Sequence, residues 1–371
     1  MEVQDKVAVY PYDRNFTSAI RHNKLLKNLN ITGLISPNGW GISGRDAGYA
    51  DGGNNIGIIV ESEFDRISDL CETILFIQSE NKIDFDKFIL PQIKVSIERG
   101  KNIIYSVKHD IEHRCIINEL CKDKGVKFKY FGDREQYEDL KKNQLHKINT
   151  PVILVLGTGE RTNKFEIQLS LREHLTNLGY KISQIGTKSF CELFGFHSFP
   201  EFMFTNSHVE SDKILMFNNF VKKIEREENP DMIIIGVPGG VMSFNDMFTN
   251  YFGILAYEVS QAVSPDFTIL SVLYGDYMPD FFDKISVNLK YRLGVDIDCF
   301  NVANTKINWE FSKALHKIQY VTLESKCVEM IKKKFLRLDI PIYNIINENE
   351  SQKMADYLVD KMSTYADISC L

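Results

Sequence analysis

The stretch Pro151-Val-Ile-Leu-Val-Leu-Gly157-Thr-Gly-Glu-Arg-Thr-Asn-Lys164-Phe165 predicts a buried strand, a tight turn and the start of a helix. Such a turn directs several backbone N–H groups and one ammonium group at the same point. The N-terminus of the helix adds unsatisfied donors and a partial positive charge, which together favour phosphate oxygens. The stretch therefore predicts an α/β fold in which this turn binds phosphate. The residues expected to contact that ligand are Gly157, Thr158, Gly159, Thr162, Asn163 and Lys164.

A second glycine-rich turn follows the strand predicted at residues 232–235. It reads Gly239-Gly240-Val-Met-Ser243 and offers backbone N–H groups and one hydroxyl. In a parallel sheet the carboxyl ends of neighbouring strands meet at one edge, where ligands bind. We therefore expect Gly239, Gly240 and Ser243 to lie beside the lysine loop, although a glycine pair after a buried strand is also ordinary turn chemistry.

The lysine loop resembles that of the dethiobiotin-synthetase-like branch of P-loop proteins, which reads Gly-Thr-x-x-x-x-Gly-Lys-Thr. Gly157, Thr158 and Lys164 match this pattern, and Asn163 stands where the pattern has its second glycine. Asparagine tolerates a positive φ better than most residues, so the loop conformation is expected to survive this change. The resemblance is limited to the second half of the chain and implies a P-loop-like fold there.

The usual magnesium ligands of a P-loop are absent from the sequence. Phe165 replaces the hydroxyl that binds the metal, and Gly236 stands where the branch has an acidic residue. Phosphoryl transfer depends on the metal to neutralise developing charge, so magnesium is doubtful here and no metal site is predicted. Asp246 and Asp276 are the acidic residues that other loops offer instead.

Three interpretations of the loop remain open. In the first, a modified P-loop binds ATP or another nucleotide. In the second, the glycines belong to a Rossmann dinucleotide loop, which requires a third glycine at Thr162 and leaves Lys164 unexplained. In the third, the turn is a structural remnant without a ligand.

Composition restricts the class of protein. The chain has 371 residues, 44% hydrophobic and 25% charged, as expected of two globular domains. A net charge of −6 without long Lys/Arg runs argues against nucleic-acid binding. The polar first residues and the lack of a long apolar run predict neither export nor a membrane span. Seven cysteines, an odd number in a long chain, favour reduced thiols in a cytoplasm.

Apolar strand-like runs alternate with amphipathic segments in both halves, which predicts two three-layer α/β domains with mainly parallel sheets. We expect a Rossmann-like domain over residues 1–132, a polar linker over 133–150 and a P-loop-like domain over 151–371. The first domain carries an insertion with seven glycines, Pro37–Gly57. The second contains Phe190–Phe204, whose six phenylalanines predict a lid or a docking surface.

A substrate site is predicted in the first domain. Tyr12 and Asp13 follow the first strand, where open α/β sheets bind ligands. Trp40, Arg45 and Asp46 lie in the glycine-rich insertion, and loops of this length in compact domains are commonly functional. We expect these five residues to bind substrate. The alternative is a surface loop with one aromatic anchor.

Several motifs together resemble the peptide-maturation system proteins of clostridial natural-product (bacteriocin) clusters. They are Tyr10-Pro-Tyr-Asp13, Leu34-Ile-Ser-Pro37-x-Gly39-Trp40-Gly41, Gly157-Thr-x5-Lys164 and Asp231-Met-Ile-Ile-Ile-Gly-Val-Pro-Gly-Gly240. The resemblance implies a cytoplasmic accessory role in making a modified peptide. It also implies three partners: a Cys-rich precursor peptide, a radical SAM maturase and an acyl-carrier-related protein. It assigns no catalytic residue.

Three functions follow as hypotheses. The first is ATP-dependent activation or acyl transfer during peptide maturation, with Lys164 neutralising a phosphate. The second is a non-catalytic scaffold that presents the precursor to its maturase. The third is a nicotinamide-dependent oxidoreductase that uses Gly157–Thr162.

Overall fold

The computed structural model describes residues 5–26, 29–108, 110–131, 144–335 and 338–368. The chain forms two compact units, one of residues 1–134 and 188–198, the other of residues 135–187 and 199–371. Most of the predicted linker over residues 133–150, namely residues 133–143, lies outside the described residues. Among the residues that are described, no helix is both long enough and apolar enough to cross a membrane.

The first unit alternates strands with helices. Its strands are β1 (Asp5–Tyr10), β2 (Leu29–Ile35), β3 (Val60–Glu61), β4 (Thr73–Ile77), β5 (Asn102–Ser106) and β6 (Phe128–Tyr130). Its helices are α1 (Arg14–Arg21), α2 (Phe64–Ser68), α3 (Leu90–Glu98) and α4 (Ile111–Lys124). The sheet is parallel with the order β3-β2-β1-β4-β5-β6. This is the strand order of the Rossmann fold, in which ligands bind where the order reverses, between β1 and β4.

Internal contacts order the glycine-rich insertion of this unit. The hydroxyl of Tyr12 donates to the carbonyl of Ala47 at 2.9 Å. Arg21 donates from two nitrogens to the carboxylate of Asp51, at 2.8 and 2.7 Å. Bidentate pairs of this kind fix geometry as well as charge. The insertion is therefore held on the unit by its own polar contacts.

From residue 144 onward the chain alternates in the same way. The strands are β7 (Val152–Gly157), β8 (Ile182–Gly186), β9 (His197–Ser198), β10 (Met232–Gly236), β11 (Phe267–Val272), β12 (Cys299–Val302), β13 (Thr305–Ile307), β14 (Tyr320–Thr322) and β15 (Ile342–Tyr343). The helices are α5 (Lys164–Asn177), α6 (Glu210–Glu228), α7 (Ile254–Ala262), α8 (Asp280–Leu293), α9 (Trp309–Leu315), α10 (Ser325–Lys332) and α11 (Glu348–Ile368).

The second unit is built on a parallel sheet in the order β15-β12-β11-β7-β10-β8. Successive residues of β7 enter different cores: Leu154 packs in one cluster with residues of α6, α7 and α8, and Val155 in another with residues of α5 and α11. Residues of a strand point alternately to its two faces, so an all-apolar strand requires helices on both. The predicted fold class, two three-layer α/β domains, is confirmed.

The predicted division of the chain is wrong for one segment. The sequence predicts residues 188–198 to be part of the second domain, but they belong to the first unit. The buried ring of Phe190 packs against Phe16 at a centroid distance of 4.8 Å, and Ser106 donates to the carbonyl of Ser189 at 3.0 Å. The phenylalanines of segment 190–204 are mostly buried, so the predicted exposed docking surface is not formed there. Phe204 is the exception.

Candidate functional site

The predicted phosphate-binding loop lies between β7 and α5, at the carboxyl edge of the second sheet. Gly157 is the last residue of the strand, and a side chain does not fit there. A Cβ at this position would lie 2.4 Å from Oγ1 of Thr162 and 3.0 Å from Nζ of Lys164. The loop thus folds back tightly over its own first residue. The tight turn predicted from the sequence is present, and α5 begins at Lys164.

Asn163 adopts the left-handed conformation that glycine would have in a complete P-loop. Its φ is 58°, and its side-chain nitrogen donates to Oδ1 of Asn304 at 3.2 Å. Asparagine is among the residues that visit this region at moderate cost. Asparagine at this position is therefore compatible with the left-handed backbone that the loop requires.

We expect Asn163→Gly to leave the protein more stable than Asn163→Ala by about 1 kcal/mol. Both variants lose the contact with Asn304 and differ only in the Cβ, which opposes the positive φ of 58°. The free energy of unfolding in urea measures the difference. Equal stability of the two variants would contradict the left-handed conformation of this residue.

Lys164 connects the two glycine-rich turns. Its Nζ donates to the carbonyl oxygen of Gly159 at 2.9 Å and to that of Gly239 at 2.5 Å. The amine therefore points into the loop. Gly240 lies in the same crevice, where a Cβ would lie 2.6 Å from the carbonyl oxygen of Thr158. The structure thus brings Gly239 and Gly240 to the lysine loop, whereas Ser243 is exposed beyond them.

Unpaired donors line the same loop. Within the part of the chain that the structure describes, the backbone N–H groups of Gly159, Glu160 and Asn163 have no protein acceptor. Unpaired backbone N–H groups in a turn attract an anion, and the N-terminus of α5 adds its dipole. With the ammonium of Lys164, these donors form a site suited to phosphate or another oxyanion.

A polar network that sequence analysis missed supports the loop. Ser271, at the end of β11, donates to the carbonyl of Thr162 and accepts from Nδ2 of Asn301 at 2.7 Å. Asn250 donates to the carbonyl of Thr158 at 3.1 Å and to that of Met242 at 2.9 Å. Ser271 and Asn301 are polar residues inside apolar strands, which was the available indication in the sequence. Nothing local indicated Asn250.

Thr162 belongs to this supported loop and not to a dinucleotide turn. Its side chain is buried, and its hydroxyl donates to the carbonyl of Gly159 at 3.1 Å. The Rossmann interpretation requires glycine at this position, so that backbone can approach a pyrophosphate. The side chain of Thr162 is used inside the loop instead.

The residues present do not fit a magnesium ion. Phe165 is buried and has no metal-binding atom, and a Cβ at Gly236 would lie 2.3 Å from Oε1 of Gln168. The amide of Gln168, which donates to the carbonyl of Ile185 at 2.8 Å, thus fills the position of the acidic residue. Asp276 is paired with Lys334 at 2.6 Å. Among the described residues, no group of three or more His, Cys, Asp or Glu is placed to bind a metal.

Two residues predicted to bind substrate in the first unit have structural roles. Tyr12 is 0% exposed, and its hydroxyl contacts Ala47 and Thr17. The carboxylate of Asp46 accepts N–H groups from Gly48, Ile56 and Gly57 at 2.7–2.8 Å. These N–H groups outweigh its burial and hold the pKa of Asp46 below its usual value. Sequence reasoning was wrong for Tyr12, because a side chain enclosed in the core cannot touch a substrate.

The other three predicted residues differ in their surroundings. Trp40 is half-buried, and Arg45 is exposed with its guanidinium 4.0 Å from the ring centre of Tyr49. Asp13 is buried near the ends of β1 and β4, where it accepts N–H groups from Asn15 at 2.8 Å and Glu80 at 2.7 Å. Burial raises the pKa of Asp13 to about 6 despite these donors. A substrate role for Trp40, Arg45 and Asp13 stays a prediction.

No family model and no curated protein sequence matches the chain. Among solved structures, it is similar to a DUF1611 family protein from Anabaena variabilis ATCC 29413. The TM-score is 0.62 at 10% identity, over 96% of this chain and 100% of that one. It also matches the hydrogenase maturation factor HypB from Archaeoglobus fulgidus, with a TM-score of 0.30 at 12% identity over 57% of this chain and 89% of that one. The first likeness shows a shared fold; the second is too weak to support an argument.

Proposed function

We propose that the second unit binds the phosphate groups of a nucleotide at the loop between β7 and α5. The observation that carries the proposal is the position of the Lys164 ammonium, which contacts the carbonyl oxygens of Gly159 and Gly239. The ammonium thereby stands at the mouth of a loop with unpaired backbone donors. An ammonium group in the same loop as backbone N–H groups that lack a protein acceptor suits an oxyanion.

The roles of the residues follow from their positions. Lys164 neutralises phosphate charge, and the backbone of Gly159, Glu160 and Asn163 donates to phosphate oxygens. Asn163 maintains the backbone path, with a φ of 58°. Since the usual magnesium ligands are replaced, we expect the phosphates to bind through protein donors and without a tightly held metal.

We further propose that this binding serves an accessory step in the maturation of a ribosomally made, Cys-rich peptide. The motif resemblance described above supports this wider role and its partners, a radical SAM maturase and an acyl-carrier-related protein. A phosphate-binding loop suits ATP-dependent activation of a carboxyl group or acyl transfer. In either reaction the loop would hold the phosphates of the activating or acyl-carrying group.

A non-catalytic scaffold is the second candidate. One observation favours it: Phe165 and Gly236 leave the loop without the metal ligands on which phosphoryl transfer depends. In this case the nucleotide would act as a structural or regulatory ligand while the protein presents the precursor to its maturase. Co-precipitation of the precursor or maturase with the purified protein tests this role. If neither is retained, with or without nucleotide, the scaffold is rejected.

Calorimetric titration of the full chain tests the proposed binding. We expect saturable heat with at least one of ATP, GTP, NADH and acetyl-CoA, and little change on adding magnesium. Adenosine, which carries no phosphate, serves as the matched control and should give no heat. If none of the phosphate-bearing ligands binds, the proposed function fails.

A further inference from the structure

Three aromatic residues of the second unit cluster beside the phosphate-binding loop. The rings of Phe244 and Phe248 lie 6.0 and 6.2 Å from the ring of Trp309, centre to centre. Phe244 touches the loop itself, because its Cζ lies 2.5 Å from where a Cβ of Gly159 would be. We call Phe244, Phe248 and Trp309 the aromatic cluster.

Local hydrogen bonds hold the two phenylalanines in place. The carbonyl of Phe248 accepts from the N–H of Phe244 at 3.0 Å. Oδ1 of Asn245 accepts from the N–H groups of Met247 and Phe248, at 3.0 and 2.9 Å. This short loop therefore presents its rings in a fixed arrangement before any ligand arrives, which lowers the entropic cost of binding.

The tryptophan comes from a segment more than 60 residues further along the chain than the two phenylalanines. Trp309 begins α9, whose first turn is capped by the side chain of Asn308 accepting from Phe311 N–H at 3.2 Å. The adjoining hairpin is tied to the loop through Asn304, which accepts from Asn163 at 3.2 Å and donates to the carbonyl of Leu323 at 2.7 Å. Trp309 is thus positioned relative to the loop by a continuous chain of contacts.

The cluster is not an enclosed core. Phe248 is buried, but Trp309 is 41% exposed although it packs on two other rings. A large, rigid aromatic side chain that exposes one face to solvent beside an anion site suits the stacking of a planar heterocycle. Phe244 lies against both Trp309 and Gly159, so the tryptophan adjoins the phosphate loop through a single ring.

We infer that the aromatic cluster binds the base of the nucleotide whose phosphates lie in the loop, with Trp309 stacking on that base. This inference rests on the proposed phosphate binding and names the ligand class more narrowly, as a nucleotide and not an inorganic polyphosphate. Stacking uses the π-face that every base has, so it distinguishes poorly between adenine and guanine. The site therefore accepts ATP and GTP with similar affinity.

Tryptophan fluorescence and calorimetry test the inference on the full chain, with ATP, GTP and tripolyphosphate as ligands. The sequence has two tryptophans, so Trp309→Phe leaves Trp40 as the other emitter. We expect both nucleotides to quench emission in the unsubstituted protein but not in Trp309→Phe, which retains an aromatic ring and most of the affinity. Both nucleotides should bind about tenfold tighter than tripolyphosphate, as expected for one stacked base.

The matched substitutions separate stacking from general effects on α9. Trp309→Leu should weaken the binding of ATP about tenfold and leave the affinity for tripolyphosphate unchanged. Phe311→Leu, at an exposed ring of the same helix, should change neither. Tripolyphosphate binding as tightly as ATP, without quenching, overturns the inference and leaves phosphate binding intact. If none of the three ligands binds, the proposed function fails as well. Quenching in the unsubstituted protein that is lost in Trp309→Phe decides the matter even if Trp309→Leu does not fold, whereas quenching that persists in Trp309→Phe comes from Trp40 and contradicts the inference.

Discussion

Replacement of Lys164 by alanine is expected to weaken nucleotide binding by a factor on the order of 100. The ammonium of Lys164 donates to the carbonyls of Gly159 and Gly239, so it lies where phosphate oxygens would meet the loop donors. Its removal leaves the N–H groups without a cation to neutralise the ligand. Calorimetric titration of the variant with the tightest nucleotide measures the loss.

Lys284→Ala provides the matched control for this prediction. Lys284 is an exposed lysine of the same unit, paired with Asp280 at 2.6 Å, and its loss changes the net charge by the same amount. We expect its nucleotide affinity to stay within about twofold of the unsubstituted protein, since screened surface charges contribute little. Equal affinity of Lys164→Ala and Lys284→Ala would show that the loop is not the binding site.

Replacement of Glu258 by glutamine is expected to stabilise the protein at pH 8 and to have little effect at pH 5. Glu258 lies on α7, is 1% exposed, and neither carboxylate oxygen has a hydrogen-bond partner among the described residues. Burial raises its pKa to about 7. The charge of Lys213 opposes this shift, and that of Glu210 adds to it. The charged form is therefore disfavoured in the folded state.

The sign of the pH dependence follows from this raised pKa. In the unfolded chain the carboxyl ionises near its ordinary value of 4.5, and in the folded protein only near pH 7. As the pH rises, the unfolded state thus loses its proton first. The free energy of unfolding therefore decreases as the pH rises from about 4.5 to about 7. The difference between the two pKa values, 7 − 4.5 = 2.5, lowers the free energy of unfolding by about 3 kcal/mol well above pH 7. Glutamine mimics the protonated form and avoids this loss.

Urea unfolding of both proteins at pH 5 and pH 8 measures the effect, and Glu225→Gln supplies a control of opposite sign. Burial would raise the pKa of Glu225, but hydrogen bonds from Lys222, Thr150 and Asn149 outweigh it and lower the pKa. Its carboxylate therefore stabilises the fold, and Glu225→Gln should lower stability at pH 8. If Glu258→Gln gains nothing at pH 8, the carboxylate is solvated or paired in solution.

Local sequence patterns predict the fold class and part of the candidate site. The apolar run at residues 152–156 predicts a strand covered on both faces, and β7 indeed contributes to two cores. The turn between Gly157 and Lys164 was predictable because both ends of the loop are adjacent in sequence. The left-handed conformation of Asn163 was likewise foreseen from the preference of one residue type.

Other features depend on residues far apart in the chain. Segment 188–198 joins the first unit through Phe190 and Phe16, which no periodicity indicates. Asn250 donates to the carbonyl of Thr158, which is 92 positions away in the chain. Glu258 is buried although a charged residue is expected at the surface.

Strand, turn and helix preferences act over a few neighbouring residues, so the order of amino acids already specified the α/β alternation and the lysine turn. Contacts between distant segments determine which side chains are buried, how the pKa of a residue such as Glu258 shifts, and which residues support the phosphate-binding loop. Folding brings these segments together through packing and hydrogen bonding. Those contacts alone placed Tyr12 inside the first unit and Trp309 beside Phe244.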